Sequence, residues 1–216
     1  MTSFPASPRL AKASILCIDP TSQQISSIKL QYNPEKISRT ITPRIKGGGS
    51  EGGGRSELMR IEGAPQETIT LEVVIDASDQ LNQGDPGACQ MGIYPQLSAL
   101  ELLVYPSSAS VLMSTALQAL GTLEFLPPLA PFTLFFWGPK RIVPVKLSSF
   151  TINETYHDAK LNPISAEVTL SMQVLSYSDL PILHPGFSMF LTHHIMKESM
   201  ASRGRDWSVG PSSLMF

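Results

Sequence analysis

The chain has 216 residues, of which 42% are apolar and 16% charged, with a net charge of −2. So balanced a charge sets up no global field for nucleic acid. The two cysteines, Cys17 and Cys89, make neither a CxxC centre nor a disulfide framework, which fits a reducing compartment. The N-terminal "MTSFPASPRLAKASILCID" lacks the apolar run of a signal peptide, and no segment nears the roughly 18–20 apolar residues that span a bilayer. These features predict a soluble protein assembled in the cytoplasm.

In chain order, "ASILCID" (13–19) and "ISSIKLQY" (25–32) read as paired strands around "PTSQQ". "KISRTITPRI" (36–45) reads as another strand, and its Pro43 argues for a sheet edge. A run follows in which six of eight residues (47–54) are glycine. It lacks the lysine that closes a phosphate-cradling loop and precedes strand-like sequence, so it reads as an assembly loop between strands. "QETITLEVVID" (66–76) alternates Ile69, Leu71, Val73 and Ile75 with polar residues, interrupted at Val74, and predicts a strand with one buried face.

The stretch from "DASDQLNQGDPG" to "MGIY" reads as loop, and it lacks the acidic spacing of a calcium site. "PQLSALELLVY" (95–105) and "SASVLMSTALQALG" (108–121) read as short helices. Strand pattern returns with "FTLFFWG" (132–138), then with a long hairpin of 141–156 and 163–177. In the first arm, apolar residues sit at odd positions through Leu147 and at even ones from Phe150. A regular strand alternates strictly, so a bulge or change of sheet is expected near Ser148 and Ser149. "HPGFSMFLTHHIMKESMASRG" (184–204) predicts an amphipathic helix of about four turns with Phe187, Phe190, Leu191, either His194 or Ile195, and Met200 near one face. The final "DWSVGPSSLMF" shows no helix pattern, and its apolar end calls for something to dock on.

The ordered set "QYNPEKISR", "ETITLEVVIDAS", a helix with a proline-rich connection, "PFTLFFWG" and "AEVTLSMQVL" resembles the contractile-injection-system tube-protein family, relatives of phage tail-tube and baseplate-hub adaptor proteins. Asn33-Pro34-Glu35 and Phe136-Trp137-Gly138 are its most specific matches, and it covers about residues 14–177. The resemblance implies a mainly β fold, a tail-tube-like β-sandwich or barrel with a flanking helix, to which the 184–204 pattern adds a C-terminal helical tail. It divides the chain into a tube-like β domain over 1–178 and a helix with extended tail over 179–216. It implies a homohexameric ring in an injection particle, between spike hub and inner tube, with the tube protein, the spike or hub protein and baseplate wedge proteins as partners. Two departures stand out. The residues after Tyr177 do not read as the LysM module that such adaptors often carry, and the hairpin turn has "NPIS" (162–165) where relatives tend to have glycine, proline and arginine.

On that reading the lumen-facing residues are Glu167, Thr169, Ser171 and Gln173, with Thr68, Thr70 and Glu72 as a second set. Assembly contacts fall to Asn33, Pro34, Glu35, Arg39 and Arg44, and on the tail helix to Phe187, Phe190, Leu191 and Ile195. Lys36, Arg39, Arg44 and Lys46 read most simply as a solvated edge that blocks stray strand pairing. His157, His184, His193 and His194 lack a metal-ligand spacing, and no catalytic constellation stands out; no cofactor, metal, nucleic acid or membrane insertion is expected. Two other roles compete: a tube-terminating cap of the same machine, and a free-standing β-sandwich binding module.

Overall fold

The computed structural model describes residues 11–18, 25–44, 61–119 and 131–208. Seven strands are present among them: β1 (Ser14–Ile18), β2 (Ile25–Lys29), β3 (Ile37–Thr42), β4 (Gln66–Asp76), β5 (Phe132–Phe136), β6 (Ile142–Glu154) and β7 (Ser165–Val174). They join in one antiparallel sheet of order β2-β1-β5-β6-β7-β4-β3. The fold is mainly β with a C-terminal helix, as expected. Pro43 follows β3 directly, and β3 is an edge strand, where a residue without a backbone N–H costs no ladder bond.

The centre of the sheet is the β4–β7–β6 unit. Ile69, Leu71, Val73 and Ile75 lie opposite Met172, Leu170, Val168 and Ala166, so eight side chains converge on one face, and all are buried. Full burial of each branched or sulfur side chain contributes about 1.5–3 kcal/mol. Such pairing fixes register, because a one-residue slip would turn the whole set into water.

The expected irregularity in β6 is there. The register shifts between Leu147 and Ser149, so that Leu147 faces Met172 while Phe150 faces Leu170, both on the core side. Ser148 is the extra residue, and its hydroxyl donates to the Ser171 carbonyl at 2.9 Å. The bulge brings two out-of-phase apolar runs onto one face.

The sheet also curls. In a flat sheet, five strand spacings would hold β2 about 24 Å from β4. Yet the Gln31 side chain, just past β2, accepts from Asp76 N at 2.9 Å and donates to Asp76 O at 2.7 Å at the end of β4. Leu30 is buried in the same core as β4, and a cavity of about 320 Å3 lies between β2, β4 and the helix at 94–101.

The segment read as loop holds two short helices, α1 (Ser78–Asn82) and α2 (Pro86–Met91), before α3 (Tyr94–Glu101) and α4 (Ser108–Ala119). Asp85 caps α2 by accepting from Ala88 N at 3.0 Å, with Pro86 at the first helical position. Helices this short carry too few apolar residues to show a period, so local capping chemistry decides them. Gly92 ends α2 at φ 56°, and a Cβ there would sit 2.1 Å from the Pro163 carbonyl oxygen. This close approach seats the helical segment on the β6–β7 hairpin, where Ile93 N donates to that same carbonyl at 2.9 Å.

The last helix, α5 (Pro185–Ser208), has 24 residues and is longer than expected, at roughly six and a half turns. It takes in Asp206-Trp207-Ser208, which the sequence pattern left outside. Lysine, glutamate, methionine, alanine and arginine keep the backbone helical, and the interior Gly204 is tolerated. Lys46, the glycine-rich run 47–54 and Gly121 lie outside the described residues.

Candidate functional site

The seven expected lumen residues share one face in adjacent register. Thr68 lies opposite Gln173, Thr70 opposite Ser171, and Glu72 opposite Thr169, while Glu167 faces Val74, the apolar exception. The surface widens on both sides. Thr40 and Ser38 of β3 join Thr68 and Thr70, and Lys146, Ser149, Thr151 and Asn153 of β6 join β7. The result is a four-strand polar face directly behind the apolar core. Strand alternation made it legible: two sequence-distant strands with the same period must present the same face once their cores pair.

The expected assembly contacts separate into three groups. Asn33 is used within the chain: its carbonyl accepts from Ala13 N and its amide donates to Ala11 O, both at 2.9 Å, tying the end of the β1–β2 hairpin to its start. Pro34 is half-buried and Glu35 exposed beside it. Arg39 and Arg44 hold carboxylates of their own chain. Arg39 bonds Glu67 at 2.6 Å, and Arg44 bonds Asp179 at 2.6 Å. On α5, Phe190 is buried against Tyr177 with ring centres 5.8 Å apart, and Phe187 is half-buried at 6.5 Å from the same ring. Leu191 and Ile195 are exposed. The buried stripe of α5 therefore runs through Phe187, Phe190, His193 and Lys197, rather than through Leu191 and Ile195. Glu67 below the helix draws Lys197 inward, with Nζ–Oε2 3.3 Å.

Sequence reading missed the place where these elements meet. Glu67 stands on the core side of β4 and is 6% exposed. Burial pushes its carboxyl up, but the Arg39 hydrogen bond and the charges of Lys197 and Arg39 outweigh that and hold it below the ordinary carboxylate range. Beside it is a cavity of about 320 Å3 lined by Arg39, Trp137, Lys140, Arg141, His193, Lys197 and Met200. The tight β5–β6 turn delivers Lys140 and Arg141: Trp137 N donates to Arg141 O at 2.8 Å, and Gly138 sits at φ 75°. Burial lowers the Arg141 pKa, helped by the nearby Arg39 charge. His193 is 6% exposed, and its Nδ1 has no hydrogen-bond partner. Its burial, then the positive charge of Lys197, push its pKa down to about 4, so the ring is neutral near pH 7. No sequence window signals this cluster, because its members lie on β3, β4, the β5–β6 turn and α5.

A second exposed feature is α4. Val111, Leu112, Met113 and Leu117 are all exposed, with Leu112 at 70% and Met113 at 65%.

Among the described residues no group of histidine, cysteine and carboxylate side chains is placed to hold a metal ion, and no helix is long and apolar enough to cross a membrane. No family model and no curated protein matches the chain. Among solved structures, a chain from the tail of an empty GTA particle, determined with C6 symmetry, aligns over 74% of this chain and 90% of its own length. It is 13% identical with a TM-score of 0.29, below the level that two chains of one fold reach.

Proposed function

We propose that this chain is a structural subunit that closes with copies of itself into a ring, as part of a contractile injection system or phage-like tail. The observation that carries this reading is the polar face, continuous in register across β3, β4, β7 and β6 behind an apolar core. Such a surface suits a wall between protein and water. The outer edges of β2 and β3 are unpaired among the described strands, and exposed edges of this kind are normally covered or closed. The apolar side chains of α4 supply a further surface for a neighbouring copy. The ordered motifs "QYNPEKISR" to "AEVTLSMQVL" point to the same machinery and, within it, to the adaptor position between spike hub and inner tube.

In this reading Glu167, Thr169, Ser171, Gln173, Thr68, Thr70 and Glu72 line the lumen. The role is scaffolding without catalysis, six copies close by a heterologous interface, and assembly takes place in the cytoplasm before the particle is complete. Light scattering on the purified chain, with electron microscopy of the same sample, tests this. Six-fold rings with an open centre are expected. A monomer at every concentration, alone and with its co-expressed tube protein, would overturn it. A ring seen at the far end of the tube would favour the cap position over the adaptor.

A further inference from the structure

The cavity between α5, the β5–β6 turn and edge strand β3 is electrostatically unfinished. Arg39, Lys140, Arg141 and Lys197 gather at its wall, and Glu67 is the carboxylate that answers them. Glu67 is already taken: one oxygen bonds Arg39 and the other bonds Lys197. Arg141, half-buried, has no carboxylate within ion-pair distance among the described residues, and Lys140 is likewise unanswered. Of these two, Arg141 stands half-buried beside Trp137, His193 and Met200, while Lys140 lies at the exposed mouth. Like charges crowded at a partly buried site repel, and an anion relieves that repulsion with charge-assisted hydrogen bonds. A guanidinium also fits a planar carboxylate better than it fits water. The second observation is independent of charge: His193, on the same wall, keeps a buried ring nitrogen that nothing in the fold satisfies, and such groups are uncommon.

We propose that this cavity is an oxyanion site, and that in the assembled particle a carboxylate of a neighbouring subunit fills it. The assignment to a subunit rests on the ring reading above; the oxyanion chemistry does not. Arg141 makes the principal contact, Lys140 screens the entrance, and the Arg39–Glu67–Lys197 triad holds the floor. The pocket is contributed jointly by an edge strand and the tail helix, so filling it locks α5 against β3 at the side where the sheet is open. Solvated edge lysines would be indifferent to which anion is present, whereas a built cavity is not.

Trp137 lines the cavity and reports its contents. The sequence holds one other tryptophan, so the Trp207→Phe chain leaves a single fluorophore. Citrate and inorganic phosphate are titrated against sodium chloride at equal ionic strength, which removes general screening. Saturable fluorescence changes are expected with both oxyanions and none with chloride. Arg141→Ala should weaken half-saturation about tenfold, the loss of one charge-assisted hydrogen bond. Lys140→Gln, on an exposed turn, should weaken it less, and circular dichroism melts confirm that both variants fold. Responses no larger than those of chloride, or unchanged by Arg141→Ala, overturn the site. Arg141→Glu in the full chain then separates the sources. Loss of rings, with the monomer intact, is the result expected if a subunit carboxylate fills the pocket. Rings that persist would make it a site for free small anions and overturn the subunit assignment. Wild-type chain that makes no rings sinks the function proposed above, while the titration still decides the oxyanion chemistry.

Discussion

The helices α4 and α5 invert the usual expectation about which helix is buried. α4 is the more apolar, with Val111, Leu112, Met113 and Leu117 in twelve residues, and it stands exposed. α5 is rich in charged and polar residues, and it is fastened to the sheet by Phe190, His193 and the Lys197–Glu67 pair. What decides docking is the counterpart that the rest of the chain supplies. β4 offers α5 a buried carboxylate (Glu67) and the turn after β7 an aromatic ring (Tyr177), while Val111, Leu112 and Met113 of α4 stay exposed. A polar helix drawn against the sheet in this way is part of the monomer's stability.

Substitutions should separate the two regions sharply. The largest loss is expected where the helical segment meets the hairpin. Gly92→Ala combines a positive φ with a Cβ aimed at the Pro163 carbonyl, and should cost about 3–5 kcal/mol in chemical denaturation. Next comes Phe190→Ala, which removes the buried anchor of α5 and should cost about 3 kcal/mol, with lost helical circular dichroism if α5 detaches. If Phe190→Ala leaves stability unchanged, α5 is not the monomer element described here.

A pH effect ranks third. The folded pKa of His193 is depressed to about 4 from an ordinary 6.5, so between those values the unfolded chain binds the proton that the folded chain refuses. Stability from this group is complete above pH 6.5 and is lost as pH falls towards 4. Lys197, Glu67, Arg39 and Arg141 all bear on the ring. Glu67, also depressed, adds a loss with the same sign at lower pH, through the carboxylate range. Melting temperature against pH should therefore slope upward from 4 to 6.5, and His193→Gln should flatten that slope. The smallest effect on the monomer belongs to α4. Leu112→Ser should change unfolding free energy by no more than about 0.5 kcal/mol, yet reduce assembly measured by light scattering. A large loss of monomer stability would mean that α4 packs on its own chain.

The same contrast marks how far the residues themselves reveal the structure. β4 was legible from end to end, because an eleven-residue alternation leaves one solution for the buried face. The β6 bulge was legible from a phase change in apolar spacing, and the lumen candidates followed from the two strand periods. The short helices after Asp76 were not, since capping by Asp85 and the fit of Gly92 leave no period to read. On α5 the reading was legible in part: Phe187 and Phe190 do turn to the fold, while Leu191 and Ile195 are exposed. Leu191 and Ile195 are the more apolar choices, but a charge pair formed across 130 residues turned the helix towards Lys197. The basic cavity has no signature along the chain, for it exists only once the sheet order places β3 beside β4 and α5 above both.

The Gln31 side chain gives the sheet a joint unlike its other six. Those six are ladders of main-chain bonds; this one is a single amide, gripping Asp76 by both its N–H and its carbonyl across strands that never pair. The sheet is thus a cuff fastened by a clasp rather than a seamless cylinder. Releasing a clasp costs two hydrogen bonds and a side-chain rotation, whereas parting a ladder costs many bonds in concert. Under axial load, or when a neighbour inserts a strand, the cuff would open at this seam and leave its apolar lining otherwise intact. Deuterium should enter the Asp76 amide sooner than the interior amides of β4.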